Sequence, residues 1–197
     1  MKSHRIPLLG VAVFVVLFGC AASLYPGGNQ TNPHAPGFDW LHNYWCDLLG
    51  PVADNGQLNP ARPVAMLAMI VLGVALAFFW YRLAGFLAGS RSRRVAVRVS
   101  GIVSMTTACL LFTPWHDIAL VVSGSAVLVA LAATLIFLRQ NHQKQLLRLG
   151  LACMLFFVAN NAIYWTKTGL AWLPILQKVT ICVFLYWIAR ISLLLKR

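Results

Sequence analysis

The chain has 197 residues, of which 60% are hydrophobic and only 10% are charged, and its mean hydropathy is +0.76. Soluble domains are about 45–50% apolar and about 25% charged, and disordered chains are poor in apolar residues, so this composition excludes both classes. The formal net charge of +12 does not indicate a nucleic-acid partner, because the basic residues fall in short loops between apolar segments. The composition predicts an integral membrane protein.

Six apolar segments approach the roughly 20 residues that a helix needs to cross a bilayer. Their apolar residues are not confined to one stripe, as expected of helices that face lipid or one another. The first segment follows a basic N-terminus, as in a signal peptide, and whether it is cleaved stays open. The sequence thus predicts an all-α fold, a six-helix transmembrane bundle forming a single domain over 1–197, with spans at about 7–25, 64–83, 97–114, 118–138, 149–165 and 173–195.

The basic residues predict the orientation of the spans. If the N-terminus is inside, only Arg62, Lys167 and Lys178 of the 16 Lys and Arg residues lie outside. Loops on the cytoplasmic side carry the excess of Lys and Arg in membrane proteins. We therefore expect an N-in/C-in topology in the cell (inner) membrane, with the long loop 26–61 on the outer, periplasmic side.

The acidic residues are also segregated, and all of them fall on the predicted outer side. Acids contribute little to topology, so the rule that orients the basic residues does not explain their placement. Three of the histidines are on the same side. The outer face is therefore where we expect functional chemistry; its acids and histidines are Asp39, Asp47, Asp54, Asp117, His34, His42 and His116.

Residues 38–49 of the long loop show a helical pattern. At 100° per residue, one arc holds Phe38, Leu41, Trp45, Leu48 and Leu49, and the opposite side holds Asp39, His42, Asn43, Cys46 and Asp47. Trp and Tyr side chains favour the headgroup level of a membrane. The pattern predicts an amphipathic helix that lies in the outer interface or covers the bundle.

Further polar groups are expected at the same depth, and together they predict a ligand-binding surface. Asp117 has two interpretations, a site residue or the N-cap of the fourth span. Asn160 and Asn161 also have two, an interhelical hydrogen bond or a ligand contact, since unpaired amides inside a span are costly. The candidate ligand-binding residues are Asp39, His42, Asn43, Asp47, His116, Asp117, Asn160, Asn161 and Tyr164.

Asp and His also serve metal ligation and acid–base chemistry. Candidate ligands for a divalent metal are His42, His116 and Asp117, and candidate catalytic residues are His116, Asp117 and Asp47. Such a site would activate water to hydrolyse a lipid or an amide. No His-Glu-x-x-His motif supports it, and no acid lies at mid-depth of a span as a coupled transporter needs.

Two functions therefore stay open, and the sequence does not decide whether the protein is an enzyme. The first is a non-catalytic membrane protein whose outer face binds a lipid, a small ligand or a partner. The second is a membrane-embedded, metal-dependent hydrolase. The expected partners are membrane lipids, and a small oligomer or a partner membrane protein stays an alternative.

Three motifs of the outer loop carry a resemblance to known proteins: Tyr25-Pro26-Gly27-Gly28, Asn43-Tyr44-Trp45-Cys46-Asp47-Leu48-Leu49 and Asn55-Gly56-Gln57-Leu58-Asn59-Pro60-Ala61, with His116-Asp117 later in the chain. With them the whole chain resembles uncharacterised bacterial multi-pass membrane proteins close to the domain-of-unknown-function 998 family. The resemblance implies a six-span bacterial membrane protein and transfers no activity, cofactor or catalytic residue. The run Asp39–Tyr44 is also similar to membrane-embedded ceramidase-like hydrolases, whose late pair of metal-ligand histidines has no counterpart after His142.

Overall fold

The computed structural model of the protein describes residues 5–87 and 90–195. Two short 3₁₀ helices, Trp45–Leu49 and Leu170–Trp172, accompany six longer helices within these ranges. The predicted all-α class is confirmed for the described residues. The α-helices are α1 (Arg5–Leu24), α2 (Arg62–Phe86), α3 (Arg91–Ala108), α4 (His116–Gln140), α5 (Lys144–Thr166) and α6 (Leu173–Leu194).

Five of the six helices are long and apolar enough to cross a membrane, and α3 is not among them. Its first half is rich in Arg, and the predicted span 97–114 is displaced from it, since the helix already ends at Ala108. Turns with i to i+3 hydrogen bonds follow, from Leu110 N–H to the Thr107 carbonyl and from Thr113 N–H to the Leu110 carbonyl. The apolar run after α3 extended the predicted span, whereas Pro114 lacks an amide hydrogen and disfavours a helical residue before it.

The helices form a closed ring, because each packs on the next along the chain and α6 packs back on α1. Short connections make sequential helices antiparallel neighbours. The bundle therefore has two distinct ends. We call the loop end the one with 25–61 and the α3–α4 and α5–α6 connections, and the basic end the one with the α2–α3 and α4–α5 connections.

Small residues allow close approach of the helices in this ring. A Cβ atom added at Gly10 of α1 would collide with the Ala75 side chain of α2, and one added at Gly101 of α3 would collide with the Trp80 ring of α2. Trp80 is fully buried. Because apolar side chains gain little by leaving lipid for a helix interface, such close packing is a principal source of stability in a membrane bundle.

The two ends differ in charge. The loop end carries every acidic side chain of the protein and the cations Arg62, Lys167 and Lys178. The other described cations lie at or near the opposite end, and no Asp or Glu accompanies them. They are Arg5, Arg82, Arg91, Arg93, Arg94, Arg98, Arg139, Lys144, Arg148 and Arg190.

Candidate functional site

Residues 25–61 fold over the loop end of the bundle, and we call them the cap. The cap begins at Gly27 and Gly28, whose φ angles of 128° and 85° favour glycine. A Cβ atom at Gly28 would collide with the backbone of Asn55, so the two ends of the cap touch only because this position has no side chain. A hydrogen bond of 3.2 Å from Asn55 N–H to the Gly27 carbonyl joins them.

The segment 38–49 is not the continuous amphipathic helix that its pattern predicts. It forms a turn at 40–42, and only Trp45–Leu49 is helical, as a 3₁₀ helix. The reason lies in side chains that bind nearby amides. One oxygen of Asp39 accepts the Leu41 N–H at 2.9 Å, which fixes a turn. Bonds of this kind compete with helix formation.

The faces predicted for this segment hold only in part. Leu41, expected on the apolar arc with Leu48 and Leu49, is 58% exposed, whereas Asn43, expected on the polar face, is fully buried. Leu48 and Leu49 are buried as predicted. The exchange of Leu41 and Asn43 follows from the turn, since the helical angle of 100° per residue no longer applies before Trp45.

Asn43 is the centre of a buried hydrogen-bond network in the cap. Its side-chain amide donates to the Gly28 carbonyl at 2.8 Å and to Asp47 Oδ2 at 3.0 Å. Its side-chain oxygen accepts the Asp39 N–H at 2.8 Å. Its carbonyl accepts from the ammonium of Lys178 in α6. The one side chain therefore holds the start of the cap, the turn and the 3₁₀ helix together, and its backbone fixes them to the bundle.

Asp47 lies at the edge of this network, where solvent is partly excluded. Burial raises the pKa of its carboxyl to about 6, and the negative charge of Asp54 acts in the same direction. Hydrogen bonds from Asn43 and from the Tyr44 N–H lower the pKa, as does the charge of Lys178, without cancelling the effect of burial. The Asp47 carboxyl therefore changes its protonation state near pH 6.

An aromatic anchor and a side-chain amide dock the cap onto the bundle. The Trp45 ring packs on Phe18 and Phe14 of α1, with ring centroids 4.7 Å and 5.7 Å apart. The Trp45 N–H donates to Gln177 Oε1 of α6 at 3.0 Å. The neighbouring Cys46 contacts the same glutamine, and burial raises its pKa to about 11, which makes it an unreactive thiol.

Asn59 joins the 3₁₀ helix to the start of α2. Its amide nitrogen donates to the carbonyls of Gly50, Asp47 and Leu48 at 2.9, 3.2 and 3.3 Å. Its oxygen accepts the Ala61 N–H at 3.1 Å, immediately before α2 begins. The Asp47 carbonyl also accepts the Gly50 N–H, whereas the later carbonyls at the end of the 3₁₀ helix have no helical donor, and the Asn59 side chain provides one.

Asp39 and His42 form a pair at the surface of the cap. His42 Nδ1 donates to Asp39 Oδ2 at 2.7 Å, and the Asn29 amide donates to the same oxygen at 3.3 Å. The other oxygen accepts the Leu41 N–H. Partial burial alone would raise the pKa of Asp39, but these hydrogen bonds outweigh it and lower the pKa. Both carboxylate oxygens are thus used in holding the turn.

Asp117 lies apart from the cap, in the first turn of α4. The N-cap of α4 is Trp115, so the prediction that Asp117 caps this helix is wrong. Its Oδ1 accepts from His116 Nδ1 at 3.1 Å and from the Tyr164 hydroxyl of α5 at 3.0 Å. The Asp117 side chain is 71% exposed, and the ammonium of Lys167 lies 4.2 Å from the centroid of the Tyr164 ring.

The two asparagines of α5 differ in their partners. Asn160 donates across the helix interface to Thr180 of α6, and it also reaches the Leu176 carbonyl at 3.4 Å. Asn161 donates only within its own helix, to the Phe157 carbonyl at 2.9 Å. The interpretation as an interhelical hydrogen bond therefore holds for Asn160. The side-chain amide of Asn161 instead donates to a carbonyl of its own helix.

The predicted site residues thus fall into separate groups instead of one. His42 bonds to Asp39 in the cap, whereas His116 bonds to Asp117 on α4. Within residues 5–87 and 90–195, no three His, Cys, Asp or Glu side chains are arranged to hold a metal ion. The metal site and the catalytic roles of His116, Asp117 and Asp47 stay predictions that no contact in the described residues favours.

Three residues that hold the cap in place are absent from the predicted site residues: Asn59, Gln177 and Lys178, of which only Lys178 was expected at this depth. A signal for the last two exists, because adjacent Gln and Lys side chains one turn inside an apolar helix are costly unless they find partners. The partner could not be identified from sequence, since Trp45 and Asn43 lie 132 and 135 residues away. Asn59 gave no signal beyond its place before Pro60 at a turn.

No protein-family model, no curated protein and no solved structure matches this chain. Its function is therefore inferred from its own contacts.

Proposed function

We propose that the protein is a non-catalytic multi-pass membrane protein of the bacterial inner membrane whose outer face binds a zwitterionic lipid headgroup. The observation that carries the proposal is the Asp117 carboxylate. Its Oδ1 accepts from His116 and Tyr164, whereas its Oδ2 accepts from no residue in 5–87 or 90–195. Asp117 is thus an exposed carboxylate of the loop end that is held in position and still open to a ligand.

A membrane–water interface at the loop end supports a lipid as the ligand. Four of the Trp side chains at this end are largely exposed: Trp40 by 53%, Trp115 by 66%, Trp165 by 54% and Trp172 by 70%. Exposed Trp residues collect at the headgroup level of membranes. Two of them, Trp115 and Trp165, flank His116–Asp117 and Tyr164 in the chain. Asp117 would therefore meet lipid headgroups.

The charges beside Asp117 match a headgroup of both signs. The exposed carboxylate suits a primary ammonium, which donates up to three hydrogen bonds. Tyr164 donates to Asp117 on one side and has Lys167 over its ring on the other. The ammonium of Lys167 suits a phosphate. Phosphatidylethanolamine carries both groups, whereas the quaternary ammonium of phosphatidylcholine has no N–H to donate.

The proposal includes six crossings with both termini inside. Because α2 and α4 both begin at the loop end and end at the basic end, α3 must return the chain between them. Arg93 of α3 donates to Gln140 at the end of α4 at 2.7 Å, which places the Arg-rich start of α3 at the basic end. The excess of cations there favours the cytoplasmic side. Six spans are also what the resemblance to the domain-of-unknown-function 998 family implies.

Native mass spectrometry tests the headgroup site. The purified protein is incubated with equal amounts of phosphatidylethanolamine and phosphatidylcholine, and the retained lipids are counted. We expect the wild type to retain phosphatidylethanolamine preferentially. In Asp117→Asn this preference should fall about tenfold, which corresponds to the loss of one charge-assisted hydrogen bond. Asp54→Asn, which neutralises another exposed carboxylate of the same end, should keep it. Equal retention of both lipids by the wild type would contradict the proposal.

Cysteine labelling tests the orientation. A membrane-impermeant maleimide should label His34→Cys, on the exposed surface of the cap, in intact spheroplasts. Asn141→Cys, in the connection between α4 and α5, should react only after lysis. The parent chain, which has five native cysteines, gives the background. The opposite pattern would place the loop end inside.

A further inference from the structure

A groove at the basic end is lined by cations and apolar side chains and by no acidic side chain, unlike the proposed headgroup site. It has a volume of about 540 Å³ and is open to the outside. Residues of the α4–α5 connection, the first turn of α5 and the last turns of α6 form its walls. They include His142, Lys144, Leu146, Arg190, Leu193 and Leu194.

We propose that this groove binds the headgroup of an anionic phospholipid, with Lys144 and Arg190 as the phosphate contacts. The groove carries two permanent cations, and the protein has no acidic side chain at this end to neutralise them, since Asp39, Asp47, Asp54 and Asp117 all lie at the loop end. An anionic ligand would therefore meet two cations and no competing carboxylate at this end.

The donors of the groove remain available for such a ligand. One nitrogen of Arg190 donates to the Tyr186 hydroxyl at 2.9 Å, which orients the guanidinium and leaves its other N–H groups for an anion. Lys144 is exposed and occupies the first position of α5. The Lys144 N–H donates to the His142 carbonyl at 2.9 Å, but the following N–H groups in the first turn of α5 have no helical acceptor and favour a negative charge, so α5 adds to the attraction of the two side chains.

The wall of the groove is also fixed in place before any ligand binds. His142 has a φ of 54°, in the left-handed region, and ends the tight connection between α4 and α5. The Asn141 N–H donates to the Phe137 carbonyl at 3.0 Å, and the Gln143 N–H donates to the Leu138 carbonyl at 2.9 Å. These bonds satisfy the last carbonyls of α4, so little ordering of the backbone is left to oppose binding.

The apolar part of the groove favours a lipid over free phosphate. Leu146, Leu193 and Leu194 line it beside the cations, and Leu193 is 51% exposed. Inorganic phosphate has no apolar group to set against these side chains. An anionic glycerophospholipid places its phosphate at Lys144 and Arg190 and its acyl chains along α6.

Native mass spectrometry tests this site independently of the outer one, because lipid and variants both differ. The full-length protein is incubated with phosphatidylglycerol and phosphatidylcholine in equal amounts. We expect a preference for phosphatidylglycerol that falls about fivefold for Lys144→Gln or Arg190→Gln and about 25-fold for the double variant. The matched control, Arg91→Gln with Arg94→Gln, removes two exposed cations from the start of α3 and should keep the preference.

Three outcomes would overturn the proposal. An equal loss of preference in the α3 control would show a general attraction to surface charge. An unchanged preference in the double variant, with circular dichroism showing a folded protein, would place the lipid elsewhere. Displacement of the lipid by millimolar inorganic phosphate would show that the groove recognises the phosphate group alone.

Discussion

The two ends of the bundle treat their charged groups in opposite ways. At the loop end, Asp39, Asp47 and Lys178 are hydrogen-bonded to asparagine side chains and to backbone groups of the cap. At the basic end, cations rest on aromatic rings, as Arg98 does at 4.6 Å from the centroid of Tyr81. Polar residues of the cap therefore hold the fold together, whereas the described cations of the basic end, apart from Arg93 with its bond to Gln140, donate to no side chain of another helix.

The largest expected effect comes from Asn43→Ala. The substitution removes the side chain from three hydrogen bonds and leaves the Asp39 N–H, the Gly28 carbonyl and Asp47 without it. We expect the free energy of unfolding to fall by about 4 kcal/mol. Asn141→Ala, the same change at an exposed position of the basic end, should cost less than about 1 kcal/mol. Thermal unfolding in detergent, followed by circular dichroism, measures the loss of stability in both variants. Equal losses would contradict the difference between the two ends.

Removal of the aromatic anchor ranks second. Trp45→Ala loses the packing of the indole on Phe14 and Phe18, which should cost about 3 kcal/mol. Trp172→Ala removes an indole that is 70% exposed at the same end and should change stability by less than about 1 kcal/mol. Limited proteolysis of the cap, compared for the two variants, reports whether the cap has detached. An intact cap in Trp45→Ala would show that Asn43 and Gln177 suffice to dock it.

The third effect is a pH dependence that belongs to the loop end. The pKa of Asp47 is about 6 in the folded protein against 3.8 as its ordinary value, so the folded state binds more protons between these pH values. The free energy of unfolding should therefore fall by about 2 kcal/mol as the pH rises from about 4 to about 6.

Asp47→Asn isolates this effect. Both hydrogen bonds to Asp47 end on Oδ2, so an amide oxygen replaces it without losing a partner. Melting temperatures at pH 4, 5, 6 and 7 should decline less in the variant than in the wild type. A decline of the same size in both proteins would assign the pH dependence to another group.

The smallest effect is expected at the basic end. Lys144→Gln removes a cation that has no carboxylate partner in the described residues, so in lipid-free detergent the free energy of unfolding should change by less than about 0.5 kcal/mol. The same variant in anionic lipid should lose the stabilisation that a bound headgroup provides. A large loss of stability without lipid would mean that Lys144 serves the fold after all.

The helices were predictable because their signal is long and redundant. α4 is apolar over most of its length, and a few misjudged residues shift its ends without removing it. α3 was misplaced because hydropathy penalises Arg91 and Arg94, although Ser90 accepts the Arg93 N–H and begins the helix in front of them. The polar end of a helix is set by such local bonds, which a hydropathy window does not see.

The cap was harder to predict because its key residues act through partners distant in sequence. The 100° pattern placed Asn43 on a polar face, and only its contacts with Gly28 and Lys178 explain why it is buried. The separation of His42 from His116 was equally hidden, since it depends on how the cap docks on α1 and α6. Segregation of acids and histidines to one side predicted where polar chemistry lies and could not predict that it would divide into several groups.

The bonds from Trp45 to Gln177 and from Lys178 to Asn43 also impose an order on biosynthesis. They join residues 132 and 135 positions apart, so the partners of the cap in α6 are made long after the cap itself. During synthesis the cap therefore lacks these contacts until α6 has entered the membrane. A chain that stops before α6 would therefore hold the cap only through its contacts with α1 and α2, among them the packing of Trp45 on Phe14 and Phe18, and should be more open to proteases there.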